Sequence, residues 1–144
     1  MFKKILIPTD GSELSNKAID GAITFAKALK ASIVGVTVVD PYSYSNISEY
    51  RPETLEGYEE RIMKAAADRL GRVADAAAAA NVPVETMTLK SFSPFEAIID
   101  AAKTTGADVI FMASHGRRGL SAVLLGSETQ KVLTHSSIPV MVYR

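Results

Sequence analysis

The sequence predicts an α/β protein: a single doubly wound, five-stranded parallel sheet with helices on both faces, α-hydrolase-like, in strand order 3-2-1-4-5. Short apolar or β-branched runs alternate with segments of helical period along the whole chain. The crossovers between those runs are long enough only for parallel pairing. The most glycine-rich segment falls between an apolar run and a helix start, where sheets of this kind place their ligand loops. Right-handed crossovers cover both faces only if the strand order reverses, and in the common orders the reversal lies beside the first strand.

Ile5 to Pro8 is the first strand, and Asp10-Gly11-Ser12 turns the chain into a helix with Ser12 as its N-cap. Ala18, Ile19, Ala22, Ile23, Ala26 and Leu29 recur at helical spacing behind it. Ile33 to Val39 is a second, β-branched strand that runs into Asp40-Pro41, and from Pro41 to Pro52 the chain is rich in Tyr and Ser without a period, which reads as a loop. Leu55, Ile62, Met63, Ala66, Leu70, Val73, Ala74 and Ala77 mark a long second helix, and the alanine run from Ala76 to Ala80 favours helix strongly. Val82 to Leu89 alternates as a third strand. Ser93-Pro94-Phe95-Glu96 combines an N-cap serine, a proline at the first helical position and a glutamate three residues after the serine, the pattern of a capping box. The helix it opens carries Ala97, Ile98, Ala101 and Ala102 and stops at Gly106. Asp108 to Met112 is the fourth strand, Ser127 to His135 the last helix, and Ile138 to Tyr143 the last strand.

A chain of 144 residues that is 47% apolar has the size of one domain, residues 1–144, with a real core. Sixteen basic and sixteen acidic residues cancel, so no overall field draws the protein onto nucleic acid or an anionic membrane. Cysteine is absent, which excludes disulfides, thiolate nucleophiles and cysteine metal sites and fits a reducing cytosol. Lys3 and Lys4 precede only Ile5, Leu6 and Ile7 before Pro8, too short a run for a signal-peptide core, and no window approaches a membrane span. The expectation is a soluble, cytoplasmic protein with neither nucleic acid nor membrane as its partner.

The segment from Ala113 to Ser127, ASHGRRGLSAVLLGS, carries the strongest chemical signal. Gly116, Gly119 and Gly126 let backbone N–H groups approach an anion without a Cβ in the way, and the amides at the start of the Ser127 helix add partial positive charge. Arg117 and Arg118 stand beside them, and the whole reads as a phosphate cradle for a nucleotide. A tight strand-to-helix connection with no ligand would use the same glycines. Asp10 has the chemistry to accept a hydrogen bond from a ribose or an amino group, or to assist a divalent ion held on phosphates. It would equally serve as a turn residue that satisfies its own backbone. Arg117 and Arg118 would also make a solvated loop pair. His115 invites a catalytic role, but no acid or nucleophile stands at a telling spacing from it, and a hydrogen bond that fixes the loop explains it as well. His135 complements the dipole at the end of the last helix. Tyr42, Tyr44, Tyr50 and Tyr58 suggest an aromatic flap or a partner surface.

Three separated pieces resemble the universal stress protein family: the opening ILIPTDGS, the strand ending VTVVDP, and SHGRRGLSAVLLGS followed by IPVMVYR. The nucleotide-binding branch of that family carries glycine, two residues, glycine, nine residues, then glycine with serine or threonine. Here the spacing holds as Ala113, two residues, Gly116, nine residues, Gly126 and Ser127, with alanine in place of the first glycine. The resemblance implies a homodimeric, ATP-binding regulator or sensor of the stress response. On that template Gly116, Gly126 and Ser127 hold phosphates, in the same loop as His115, Arg117 and Arg118. Ala113 lines the ribose or phosphate path, Pro8, Thr9 and Asp10 line the nucleoside end, and the Val38 backbone meets the adenine edge. Mg or Mn would arrive on the nucleotide, with Asp10 beside it.

No P-loop lysine pattern follows the glycines and no base is placed to activate water, so the chain is expected not to be an enzyme, with slow or no ATP hydrolysis. Two alternatives remain. One is a dimeric interaction protein that needs no nucleotide. The other is an adenylate-forming α-hydrolase enzyme, against which the single glycine of TDGSELS after the first strand argues. The last strand, residues 138–143, is expected at a sheet edge, where an apolar strand with free backbone groups is a liability unless a second copy pairs with it.

Overall fold

The computed structural model describes residues 1–41, 53–116 and 125–144. Along the chain run β1 (Lys4–Pro8), α1 (Glu13–Leu29), β2 (Ser32–Val39), α2 (Leu55–Ala79), β3 (Val84–Lys90), α3 (Pro94–Thr105), β4 (Val109–Ala113), α4 (Ser127–His135) and β5 (Val140–Tyr143). The strands form one parallel sheet in the order β3-β2-β1-β4-β5, as expected. The order reverses beside β1, where Leu6 is in register with Val34 of β2 on one side and Ile110 of β4 on the other.

Alternation along the strands sorts the core into two layers. Ile5, Ile7, Ile33, Val109 and Phe111 face α1 and α2, where Ala18, Ile19, Ala22 and Ala26 of α1 and Val73 and Ala77 of α2 close over them. Leu6, Val34, Val36, Ile110 and Met112 face Ile98, Ile99 and Ala102 of α3 and Val132 of α4. Ile5, Leu6 and Ile7 are fully buried, each contributing about 1.5–3 kcal/mol of burial free energy. No helix among the described residues is long and apolar enough to cross a membrane.

Local chemistry sets the element ends. The Ser12 side chain accepts from the Ser15 N–H at 3.2 Å and caps α1, as expected. α3 stops at Gly106, whose φ of 75° glycine adopts without strain. Two strands start two residues later than their sequence suggests. Val82 donates its N–H to the Ala77 carbonyl at 2.9 Å, so it closes the turn after α2, and β3 begins at Val84. The Ile138 N–H goes to the Ser136 hydroxyl at 3.0 Å and Pro139 has no N–H, so β5 begins at Val140.

Tyr58 corrects the expectation of an aromatic flap. Its ring is 2% exposed and its hydroxyl donates to the Asp40 carbonyl at 2.7 Å, so it anchors α2 under the end of β2. Tyr42, Tyr44 and Tyr50 lie outside the described residues.

α2 packs tightly on the sheet at Gly35 of β2: a Cβ built there would lie 2.9 Å from Val73 Cγ1. Valine is stiff about χ1, so relief would require the helix itself to move. Gly35→Ala is expected to cost about 1–3 kcal/mol in urea unfolding. The double change with Val73→Ala, which removes the obstructing methyls, is expected to cost less than the sum of the two single changes.

Candidate functional site

The reversal at β1 leaves a crevice of about 620 Å³ above the carboxyl ends of β1, β2 and β4. Hydroxyl groups fix its β1 side. The Thr9 N–H continues the sheet to the Val36 carbonyl at 2.9 Å. Thr37 Oγ1 donates to the Thr9 carbonyl at 2.7 Å, and the buried Ser15 hydroxyl donates to Thr9 Oγ1 at 2.7 Å. Asp10 Oδ1 accepts from the Ser12 N–H at 3.0 Å across Gly11, whose φ of 77° permits the tight turn. Asp10 therefore does serve as a turn residue. Its other oxygen faces Gly116, where a Cβ would run into the carboxylate.

On the β4 side the backbone closes on itself. Ser114 donates its N–H to the Tyr143 carbonyl and accepts from the Gly126 N–H, both at 2.7 Å, while Thr129 Oγ1 donates to the Ala113 carbonyl at 3.0 Å. These bonds seat Gly126, the N-cap of α4, beside the exit of β4. A Cβ on Gly126 would lie 3.2 Å from the His115 Cα. Glycine at the N-cap supplies no side-chain oxygen, so it leaves the first-turn amides of α4 open towards the crevice. Ala113 does not need to be glycine for its conformation: among described non-glycine residues only Lys30 and Asn81 have positive φ.

Pro8, Thr9, Asp10, Val38, Ala113, His115, Gly116, Gly126 and Ser127 all line this one crevice. Arg117 and Arg118 lie outside the described residues. The His115 ring has Nδ1 3.3 Å from the Ser114 hydroxyl, a local contact rather than an acid–base pair. Among the described residues no group of three or more His, Cys, Asp or Glu is placed to hold a metal ion. The floor is apolar, made by Val36, Val38, Ile98 and Met112. Open backbone amides at one end and an apolar floor at the other suit a polyanion that carries a flat, apolar group.

Several lining residues escape a sequence reading. Arg69 reaches in from α2, with Nη1 3.5 Å from Thr37 Oγ1. Its only sequence signal is its position beside the buried stripe of Ala66, Leu70 and Val73. Asp40 and Phe92 close the rim, and Glu128 sits in the first turn of α4. Glu128 also corrects the expected capping box. Ser93 makes no side-chain cap bond; the Ser91 hydroxyl takes its N–H at 3.0 Å, and the Phe95 N–H donates to Glu128 Oε2 at 2.9 Å. The cap of α3 thus comes from another helix, because α3 and α4 pack side by side with the Phe95 and His135 rings 5.2 Å apart. His135 ends α4 as expected.

Fold and crevice together define a doubly wound α/β protein whose crevice lies where the strand order reverses. The chain belongs to the universal stress protein family, which it matches over residues 1–144. It is 31% identical over 144 residues to universal stress protein MJ0531 of Methanocaldococcus jannaschii, covering 100% of this chain and 83% of that one. The solved structure of MJ0577 superposes with a TM-score of 0.83 at 27% identity, covering 99% of this chain and 96% of that one. MJ0577 is a second universal stress protein of Methanocaldococcus jannaschii. A universal stress protein of Archaeoglobus fulgidus, solved in complex with dAMP, shares the fold with a TM-score of 0.71 at 16% identity, covering 100% and 98% of the two chains.

Glu128→Ala is expected to lower stability by about 1 kcal/mol in urea unfolding, because it leaves the α3 N-terminus without its acceptor. Glu128→Gln keeps an acceptor oxygen and is expected to lose less. Equal losses in the two variants would mean that the charge, and not the hydrogen bond to Phe95, joins the helices.

Proposed function

We propose that this chain is an ATP-binding regulatory protein of the stress response, cytoplasmic and homodimeric, in which the nucleotide sets conformation or assembly. The observation that carries the reading is the meeting of Gly116, Gly126 and Asp10 at one crevice with the first turn of α4 open beside them. Gly116, Gly126 and Ser127 take the phosphates through backbone amides and a hydroxyl. Pro8, Thr9, Asp10 and Val38 take the nucleoside, and Ala113 lies along the path between. Arg117 and Arg118 add charge to the phosphate end. Mg or Mn enters on the nucleotide, and Asp10 is the carboxylate beside it. A fold neighbour solved with dAMP supports a nucleotide as the ligand class.

Mass spectrometry of small molecules released by denaturing the freshly purified protein is expected to find adenine nucleotide. Calorimetry is expected to show ATP binding to the wild type and none to Gly126→Val, whose side chain fills the cradle. Thermal unfolding of that variant guards against a collapsed fold, since the added Cβ also presses on His115. Equal ATP affinity in both proteins would remove the site assignment. Turnover of bound ATP is expected well below about 1 per second, the low end of ordinary enzymes. A faster rate would make the protein an enzyme.

The proposed dimer seam is β5. It is the sheet edge beyond β4, and Met141 in its middle is 36% exposed. Antiparallel pairing with its two-fold mate satisfies the open backbone groups and covers Met141. Met141→Lys is expected to shift sedimentation from dimer towards monomer. An undisturbed dimer would place the interface elsewhere.

A further inference from the structure

Phe92, in the turn between β3 and α3, is 67% exposed, more than any other large apolar side chain among the described residues except the terminal Met1. Its turn is tightly fixed. The Ser91 N–H holds the Val39 carbonyl at 3.1 Å, and the Ser91 hydroxyl accepts from the Ser93 N–H at 3.0 Å and donates to the Ser93 carbonyl at 3.2 Å. Pro94 follows at the start of α3, and the Phe95 N–H is held by Glu128. The structure thus spends three backbone anchors on presenting an aromatic ring to water. Phe92 lines the same crevice as Val38, Pro94 and Ile98, and it follows the end of β3, where Leu89 is in register with Val38 of β2.

An aromatic face held at the mouth of an apolar slot is suited to a flat π-system, which gains stacking and dispersion at little cost in side-chain entropy. We infer that Phe92 is the stacking platform for the nucleobase, and that it makes the crevice prefer an intact nucleotide to an inorganic polyphosphate. This rests on the nucleotide reading above and adds to it the residue that recognises the base. The phosphate end of that reading works through backbone amides, which a side-chain change at Phe92 leaves in place, so the two ends separate experimentally. Through Ser91, Pro94 and Glu128 the platform is also linked to the first turn of α4, which keeps the spacing between base and phosphate subsites fixed.

The chain has no tryptophan, so Phe92→Trp installs a single reporter. Its fluorescence is expected to be quenched on titration with ATP and unchanged by tripolyphosphate. By calorimetry Phe92→Ala is expected to weaken ATP binding about tenfold, within the range for one base on one aromatic ring. Its response to tripolyphosphate is expected to match the wild type, and Phe92→Tyr is expected to retain ATP affinity. ATP binding of wild-type strength by Phe92→Ala would overturn the inference while leaving the nucleotide reading intact. An equal loss for ATP and tripolyphosphate would overturn it too, because it would show a general disturbance of the crevice. A wild-type protein that binds no ATP would remove both readings.

Discussion

The double pairing of β1 governs the rest of the molecule. A strand bonded on both edges and covered on both faces has no solvent-facing side, which is why Ile5, Leu6 and Ile7 run together instead of alternating with polar residues. Because the right-handed crossovers run one way along the sheet from β1 to β3 and the other way from β3 to β5, the helices divide between the two faces, α1 and α2 on one and α3 and α4 on the other. The crevice follows from that connectivity. What the sequence adds is the lining: small hydroxyl and glycine residues at the exits of β1 and β4, where larger side chains would close the space.

Polar contacts join the walls of the crevice to one another. Thr9 binds the β2 wall through Thr37 and the α1 wall through Ser15. Glu128 joins the start of α4 to the start of α3. Lys131, one turn further along α4, lies 5.6 Å above the Phe95 ring and 3.4 Å from the Glu128 carboxylate, so the α3 to α4 junction is both apolar and charge-assisted. The first turns of α3 and α4 are therefore held together by one carboxylate at the wall of the crevice.

Patterns that depend on chain-local physics were legible in the sequence. The period of two or 3.6, the Ser12 cap and the Gly106 stop follow from residues close to one another along the chain, and the reversal beside the first strand follows from the handedness of the crossovers. The glycine and aspartate residues that meet at the crevice were legible because strand ends in this topology converge. What escaped depends on which elements touch. Ser93 and Glu96 have the right spacing for a capping box, yet Glu128, far along the chain, supplies the acceptor. Tyr58 has the composition of a surface aromatic, but the chain buries it against Asp40. Arg69 and Phe92 carry no motif, and only the packed structure brings them to the crevice.

The paired bonds at Ser114 make one cooperative unit of three chain segments. With its N–H on the Tyr143 carbonyl and its carbonyl on the Gly126 N–H, Ser114 stands between the end of β5 and the start of α4. The sheet and α4 are thereby registered to each other through a single residue. Opening at Ser114 would free both neighbours at once, so the Ser114 and Gly126 amides belong to the same local unfolding step in hydrogen exchange.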